Sequence, residues 1–175
     1  MVILPIKKYP SPELTTPSEE VTVIDDEVRE LVASMTDTMY ASQGIGLAAN
    51  QVGVTRRVAL IDLSVGEDEG AVHVLINPEI VASAGETSEE EGCLSFPGIS
   101  EVVTRPQQVK CRALNLAGKS YTLEGEGLLA RAICHEIDHL DGILFIDRLI
   151  GFKKERVRRL IRRSVRSGSW AEVYP

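Results

Sequence analysis

The sequence His135-Glu136-Ile137-Asp138-His139 combines residue types and a spacing that could do chemistry. Two histidines four residues apart leave a helix on the same face, so both imidazoles can bind one divalent cation. Glu136 lies between them, where its carboxylate can reach a metal-bound water and act as general base. The alternative is a helix with one surface histidine and one core histidine. Since two of the three histidines in the chain lie here, the pattern favours a metal site.

A catalytic site of this kind needs a third protein ligand and an open position for water. One metalloprotease pattern places a histidine six residues after His139, but Phe145 occupies that position. Glu155 and Glu172 lie in a basic segment and in the tail beyond it, which makes them poor candidates. Cys93 lies upstream in a glycine-flanked loop, where a metal would hold its thiol deprotonated. Cys93 is therefore a candidate ligand, with an ordinary buried cysteine as the alternative.

A glycine-rich segment, Gly44-Ile45-Gly46-Leu47-Ala48-Ala49-Asn50-Gln51-Val52-Gly53, precedes the first predicted strands. A phosphate cradle is disfavoured because no P-loop lysine follows and the spacing is not that of a dinucleotide fingerprint. The alternative is a tight loop whose small residues let a ligand approach the backbone. Gln51 would then be a polar contact for that ligand, or else a solvent-exposed amide.

Helical spacing of apolar residues predicts three helices around these motifs. The first is expected to begin near Asp25 and Asp26, which suit a helix N-terminus. The second carries the histidines over residues 126–141, is followed by Gly142, and is apolar around most of its circumference, which predicts a central, buried helix. The third is basic and covers residues 152–166. Its predicted buried stripe consists of Val157, Leu160, Ile161 and Val165.

Runs of branched residues predict strands between the first two helices. A β-hairpin is predicted from residues 58–63 and 72–76, and Asn77-Pro78 is expected to end its second strand. Further strands are expected at residues 79–83, 102–104, 109–116 and 120–123, and the acidic run 86–91 is expected to be solvated surface, with Glu91 a candidate exception. The predicted fold is α+β, with antiparallel β-sheets around a central metal-binding helix, an N-terminal helix and a C-terminal helix.

Length and composition indicate a single domain over residues 1–175, in which the proline-rich residues 1–24 form an extended arm. The formal net charge is −7, but residues 153–166 contain eight basic residues and one acid, giving +7 and leaving −14 on the remainder. This balance disfavours DNA binding by the body of the protein. The chain shows no transmembrane run, no secretory signal and only three scattered cysteines, so we expect a cytoplasmic protein without membrane attachment.

Three motifs taken together resemble the signatures of the bacterial peptide deformylases, in the same order and spacing. They are the segment from Gly44 to Gln51, the segment Glu91-Gly92-Cys93-Leu94-Ser95, and His135-Glu136-Ile137-Asp138-His139. One departure is Cys134, where the family often has glutamine. The basic C-terminal segment resembles the bacterial class that ends in a helix. This resemblance implies that Cys93, His135 and His139 bind the metal, usually ferrous iron, with zinc, nickel or cobalt also able to occupy the site.

The same resemblance implies an activity, namely hydrolysis of the N-terminal formyl group from formylmethionyl nascent peptides. Glu136 would move the proton, while the Gln51 amide and the Leu94 backbone N–H would stabilise charge on the formyl oxygen. Loop position and helix face suggest Ile45, Leu128 and Ala132, with Gly46 beside them, as the methionine slot.

Family analogy also suggests an ion pair of Glu91 with Arg105 and docking of the basic helix on the ribosome. A zinc endopeptidase and a non-catalytic metal-binding module are the alternatives. The endopeptidase leaves Cys93 and the Gln51 loop unexplained, and the binding module has no need of Glu136.

Overall fold

A computed structural model describes residues 2–68, 70–168 and 170 of the chain. The fold is α+β, as predicted, and every strand pair is antiparallel. Helices are α1 (Asp26–Ala41), α2 (Leu128–Leu140) and α3 (Gly151–Arg166), with short 3-10 helices at Pro12–Thr15, Ala49–Val52 and Phe145–Asp147. Strands are β1 (Gly46–Ala48), β2 (Val58–Ile61), β3 (His73–Ala84), β4 (Thr87–Gly92), β5 (Ser100–Arg105), β6 (Gln108–Leu114) and β7 (Ser120–Glu126). None of the helices in the described ranges has the length and apolarity needed to cross a membrane.

A five-stranded sheet in the order β1-β2-β3-β6-β7 lies between α1 and α2, and β4 and β5 form a separate two-stranded sheet. Successive residues of a strand point to opposite faces. Along β2, Val58 and Leu60 accordingly join the cluster that contains α1, while Ala59 and Ile61 join the cluster that contains α2. Burial on both faces explains why this strand reads as a continuous apolar run.

The helix boundaries follow from local chemistry. At the start of α1, the Asp25 side chain accepts a hydrogen bond from the Val28 backbone N–H at 3.0 Å, so the predicted cap is confirmed. Gly142 follows α2 with φ of 74°, a left-handed conformation that favours glycine. Every residue of α2 from Ala130 to Leu140 is buried, which confirms that the histidine helix is central.

The prediction that Asn77-Pro78 ends a strand is wrong. Strand β3 continues to Ala84 through a register shift between Ile76 and Glu79. A proline is tolerated there because a bulge does not require its missing N–H. The Asn77 side chain exchanges two hydrogen bonds of 2.9 Å with the backbone of Val21, so the bulge anchors the N-terminal segment.

The expectation for the acidic run is confirmed, since residues 86 and 88–90 are exposed and Glu91 is buried. What the sequence did not indicate is that this run forms strand β4, paired with β5. In α3 only Val157 and Ile161 of the predicted stripe are buried, whereas Leu160 and Val165 are 44% and 48% exposed. The helix rests on the body along one i, i+4 line, so the residues that flank this line face solvent.

Candidate metal centre

The three candidate ligands converge although the first two, Cys93 and His135, are 42 positions apart in sequence. Cys93 follows the last residue of β4 in a turn closed by the Phe96 N–H to the Cys93 carbonyl at 2.9 Å. Its Sγ lies 3.2 Å from His139 Nε2, which in turn lies 3.2 Å from His135 Nε2. The three donor atoms all lie within 4.8 Å of one another.

This donor set fits a small divalent cation. Ligand bonds of about 2.0–2.3 Å in a tetrahedral arrangement place neighbouring donor atoms roughly 3.3–3.6 Å apart, close to the two distances of 3.2 Å that His139 Nε2 makes with Cys93 Sγ and His135 Nε2. Burial lowers the pKa of His139 well below its ordinary value, which favours the neutral imidazole. Burial acts in the same direction on His135, but its hydrogen bonds with Cys93 and Glu91 outweigh it and raise the pKa of His135 well above its ordinary value. Thiolate and imidazole donors suit iron, zinc, nickel and cobalt alike, so the chemistry of the set does not select one of them.

A buried ion network holds His135 from behind. Glu91 Oε1 lies 2.6 Å from His135 Nδ1, which leaves Nε2 to face the other donors. Arg105 contacts the two oxygens of Glu91 at 2.6 and 3.0 Å and reaches Asp138 at 2.5 Å, which confirms the expected pair of Glu91 with Arg105. Burial alone would raise the pKa of Glu91, but the hydrogen bonds from His135 and Arg105 outweigh it and lower that pKa well below its usual range.

Glu136 is placed for proton transfer. Its carboxylate is buried in the cavity wall, and its Oε2 has no hydrogen-bond partner among the residues described. Burial raises the pKa of this carboxyl to about 7. An unpaired acceptor with a pKa near neutrality is a group able to take a proton and return it.

Gly46 controls where this carboxylate lies. A Cβ added at Gly46 would overlap Glu136 Oε1 and lie 3.0 Å from its Cδ. We therefore expect Gly46→Ala to displace the carboxylate and to lower kcat about 10²-fold, since shifts of this size are costly in active sites. Steady-state kinetics with metal content measured in parallel will check this. Wild-type kcat in the alanine variant would show that the close contact has no catalytic role.

The Gln51 amide points into the same site. Its Oε1 accepts from the Ala48 backbone N–H at 2.9 Å, which fixes the amide so that Nε2 lies 3.6 Å from Cys93 Sγ and 3.2 Å from Ser95 Oγ. Gln51 is only 2% exposed, so the alternative of a solvent-exposed loop amide is wrong. Leu94 lies in the same cavity wall, next to Cys93.

An open cavity of about 530 Å³ is lined by residues of the candidate site, among them Gln51, Cys93, Leu94, His135 and Glu136. Its lining contains each of the four predicted slot residues, namely Ile45, Gly46, Leu128 and Ala132. Leu128 is 50% exposed at the rim, whereas Ala132 is buried in the wall. The volume is typical of a pocket for a small ligand or for the end of a peptide.

Sequence reasoning missed several supporting residues. Arg131 donates to Glu91 Oε2 at 3.0 Å and to the Val103 carbonyl at 2.9 Å. Ser95 accepts from Gln51, and the Asn50 amide donates to the His139 carbonyl at 2.5 Å. Arg131 could have been found, because it lies one turn before His135 on the same helix face. The roles of Ser95 and Asn50 depend on contacts between distant segments.

The fold and the cavity together define a hydrolase-type active site built on a His-Glu-x-x-His helix, with a cysteine brought in from a loop. Comparison with known proteins identifies the family. The family model for polypeptide deformylase matches residues 3–155. A peptide deformylase of Acidobacterium capsulatum is 51% identical over 170 residues, which cover 97% of this chain and 100% of that protein. A peptide deformylase of Neisseria gonorrhoeae is 48% identical, over 93% of this chain and 96% of its own length.

Solved structures agree with these matches. The crystal structure of a Legionella pneumophila peptide deformylase is 40% identical with a TM-score of 0.89, and covers 96% of this chain and 98% of its own. That of Ehrlichia chaffeensis peptide deformylase in complex with actinonin is 36% identical with a TM-score of 0.85, over 94% and 98% of the two chains. The chain belongs to the polypeptide deformylase family.

Proposed function

We propose that this protein hydrolyses the formamide bond at the N-terminus of formylmethionyl peptides and releases formate. The observation that supports this most is the convergence of Cys93, His135 and His139 next to Glu136 at an open cavity, in a chain of the polypeptide deformylase family. Removal of the formyl group from nascent peptides is the activity of that family. A cytoplasmic location, where nascent chains begin, belongs to the same proposal.

Cys93, His135 and His139 would hold one divalent cation, with ferrous iron expected from the family resemblance and zinc, nickel or cobalt as substitutes. When bound, the cation supplies Lewis acidity and lowers the pKa of a water in its open position. The protein positions the imidazole of His135 through Glu91 and neutralises that buried carboxylate with Arg105 and Arg131.

Glu136 carries the proton in this proposal. Its unpaired Oε2 takes a proton from the attacking water, and the carboxyl then gives it to the departing amine. The Nε2 group of Gln51 and the backbone N–H of Leu94 donate to the formyl oxygen as negative charge develops on it. Gln51 is held in advance by its bond to Ala48, so it need not reorganise during the reaction.

The cavity provides the slot for the methionine side chain. Ile45, Leu128 and Ala132 would contact the thioether chain, and Gly46 leaves room between that chain and Glu136. Comparing formate release from formyl-Met-Ala-Ser and formyl-Gly-Ala-Ser tests both the reaction and this slot. We expect formate from the methionyl peptide with a much higher kcat/KM. Equal kcat/KM values would contradict the slot, and no formate from either peptide would contradict the proposed function.

Ribosome docking through the basic face of α3 is a further part of this proposal. The arginines 159, 162, 163 and 166 line one surface concavity, as a phosphate-binding patch would require. We expect Arg159→Glu with Arg163→Glu to abolish co-sedimentation with ribosomes at low salt while formate release from a tripeptide is unchanged. Co-sedimentation equal to that of wild type would exclude this surface.

A further inference from the structure

Trp170, four positions beyond the end of α3, is buried against the body of the protein. The Trp170 backbone N–H donates to the Ser164 carbonyl at 3.3 Å, and the side chain is 8% exposed. The indole Nε1–H donates to the Tyr9 carbonyl at 2.6 Å. The indole also packs edge-on against Phe96, with ring centroids 6.3 Å apart and planes at 81°. Trp170 therefore joins both the N-terminal arm and the loop that carries Cys93.

Tyr9 connects Trp170 to the candidate metal site. Its ring stacks on Phe96 with centroids 5.2 Å apart, and its backbone N–H donates to the Ser95 carbonyl at 3.1 Å. Ser95 in turn accepts from the Gln51 amide at 3.2 Å, and its backbone N–H lies 3.4 Å from Cys93 Sγ. Two residues, Tyr9 and Ser95, thus separate Trp170 from the thiol and from the Gln51 amide.

The loop at residues 93–98 connects β4 to β5, whose end residues Gly92 and Ser100 are paired. Its own backbone bonds are short-range turns, from Phe96 N–H to the Cys93 carbonyl at 2.9 Å and from Ile99 N–H to the Phe96 carbonyl at 3.1 Å. Turns of this kind set the shape of a loop but not its place on the body. Besides the pairing of β4 with β5, that place is set by Leu94, which packs against the cluster that contains α1, and by Phe96. Phe96 is 1% exposed and packs between Tyr9, Phe145 and Trp170.

We infer that Trp170 is a positioning residue of the active site, because the indole fixes Tyr9 and Phe96. Through these two residues it holds Cys93 and Gln51 in position relative to the histidines of α2. Trp170 is thereby part of the support of the metal site. The inference rests on the proposed function for its kinetic consequence, but not for its effect on metal affinity. Groups that orient metal ligands from behind change metal affinity by about 10–100-fold.

Three variants test this inference. Trp170→Ala removes the ring and the N–H, Trp170→Phe keeps a ring but loses the N–H, and Phe152→Ala removes an aromatic ring of α3 that is 79% exposed. Zn²⁺ affinity, measured by competition with a chelator, should fall about 10-fold in Trp170→Ala, less in Trp170→Phe, and not at all in Phe152→Ala. In the formate assay kcat should follow the same order. A folded Trp170→Ala variant with wild-type Zn²⁺ affinity and kcat would overturn the inference.

A second measurement needs no variant at this position. Trp170 is the one tryptophan of the sequence, so the intrinsic tryptophan fluorescence of the full chain reports on it alone. Coupling free energies are reciprocal, so if Trp170 strengthens metal binding, then metal binding must strengthen the packing of Trp170. Zn²⁺ has a filled d shell and does not itself quench the fluorescence, so a change in quenching reports on the packing of the indole. Loading with Zn²⁺ should reduce the quenching of Trp170 fluorescence by acrylamide in the wild-type protein. In Cys93→Ala the same loading should leave the quenching unchanged.

Unchanged quenching in the Zn²⁺-loaded wild type would overturn the inference even if Trp170→Ala does not fold.

The proposed function and the positioning role of Trp170 can fail separately. Absence of formate release from all these proteins, with the expected order of Zn²⁺ affinities, would count against the proposed function and leave the positioning role intact.

Discussion

Glu136→Ala is expected to lower kcat by about 10²–10⁴-fold, which is the usual contribution of a positioned general base. The variant should retain its metal, because Cys93, His135 and His139 provide the donor atoms and Glu136 does not. Stability should not fall either. The carboxylate is buried with one oxygen unpaired among the described residues, and such a group opposes folding.

Glu136→Gln is the matched variant, since it keeps the size of the side chain and removes its ability to take a proton. We expect Glu136→Gln to lose turnover to a similar extent, with metal content and the free energy of unfolding measured for both variants. If either metal-replete variant turned over like the wild type, the general-base role of Glu136 would be wrong.

Arg105→Ala is expected to lower the free energy of unfolding by about 3–5 kcal/mol, the typical cost of breaking a buried ion pair. Arg105 is 3% exposed and contacts the carboxylates of Glu91 and Asp138, so its removal leaves buried negative charge short of one partner. The remaining contacts of Arg131 with Glu91 and of Arg148 with Asp138 place the effect toward the lower end of that range. Urea denaturation of metal-free protein will measure it.

Arg112→Ala is the control for this prediction. Arg112 pairs with Glu79 at 2.6 Å, but both side chains are more than half exposed, so the variant should change stability by less than about 1 kcal/mol. Arg105→Ala should in addition weaken metal binding about 10–100-fold, because Glu91 orients His135. Equal stability of the Arg105 and Arg112 variants would mean that the buried network does not stabilise the fold.

Local sequence patterns were sufficient to predict the features that depend only on residues a few positions apart. Two histidines one turn apart lie on one face of α2 whatever packs around them, and Asp25 caps α1 through a bond that spans three residues. Strand β2 could be recognised because both of its faces are buried and apolar. Cys93 became a candidate ligand by its glycine-flanked loop and by resemblance, and its role as a ligand stays a prediction.

Other features could not be predicted, because they depend on contacts between distant segments. Asn77-Pro78 has the local signature of a strand end, but pairing with β6 carries β3 beyond it. Leu160 and Val165 fit a helical stripe, yet the body covers only one line of α3. The contact of Trp170 with Tyr9 joins positions 161 residues apart, and no periodicity in either segment indicates it.

Formate release from formyl-Met-Ala-Ser by anaerobic, Fe²⁺-loaded protein is the decisive assay for deformylation, with acetyl-Met-Ala-Ser and the Cys93→Ala variant measured alongside. We expect the wild-type protein but not Cys93→Ala to release formate from the formyl peptide, and neither protein to hydrolyse the acetyl peptide. Turnover by Cys93→Ala at the wild-type rate would contradict the ligand set, and no formate from the metal-loaded wild type would contradict the proposed function.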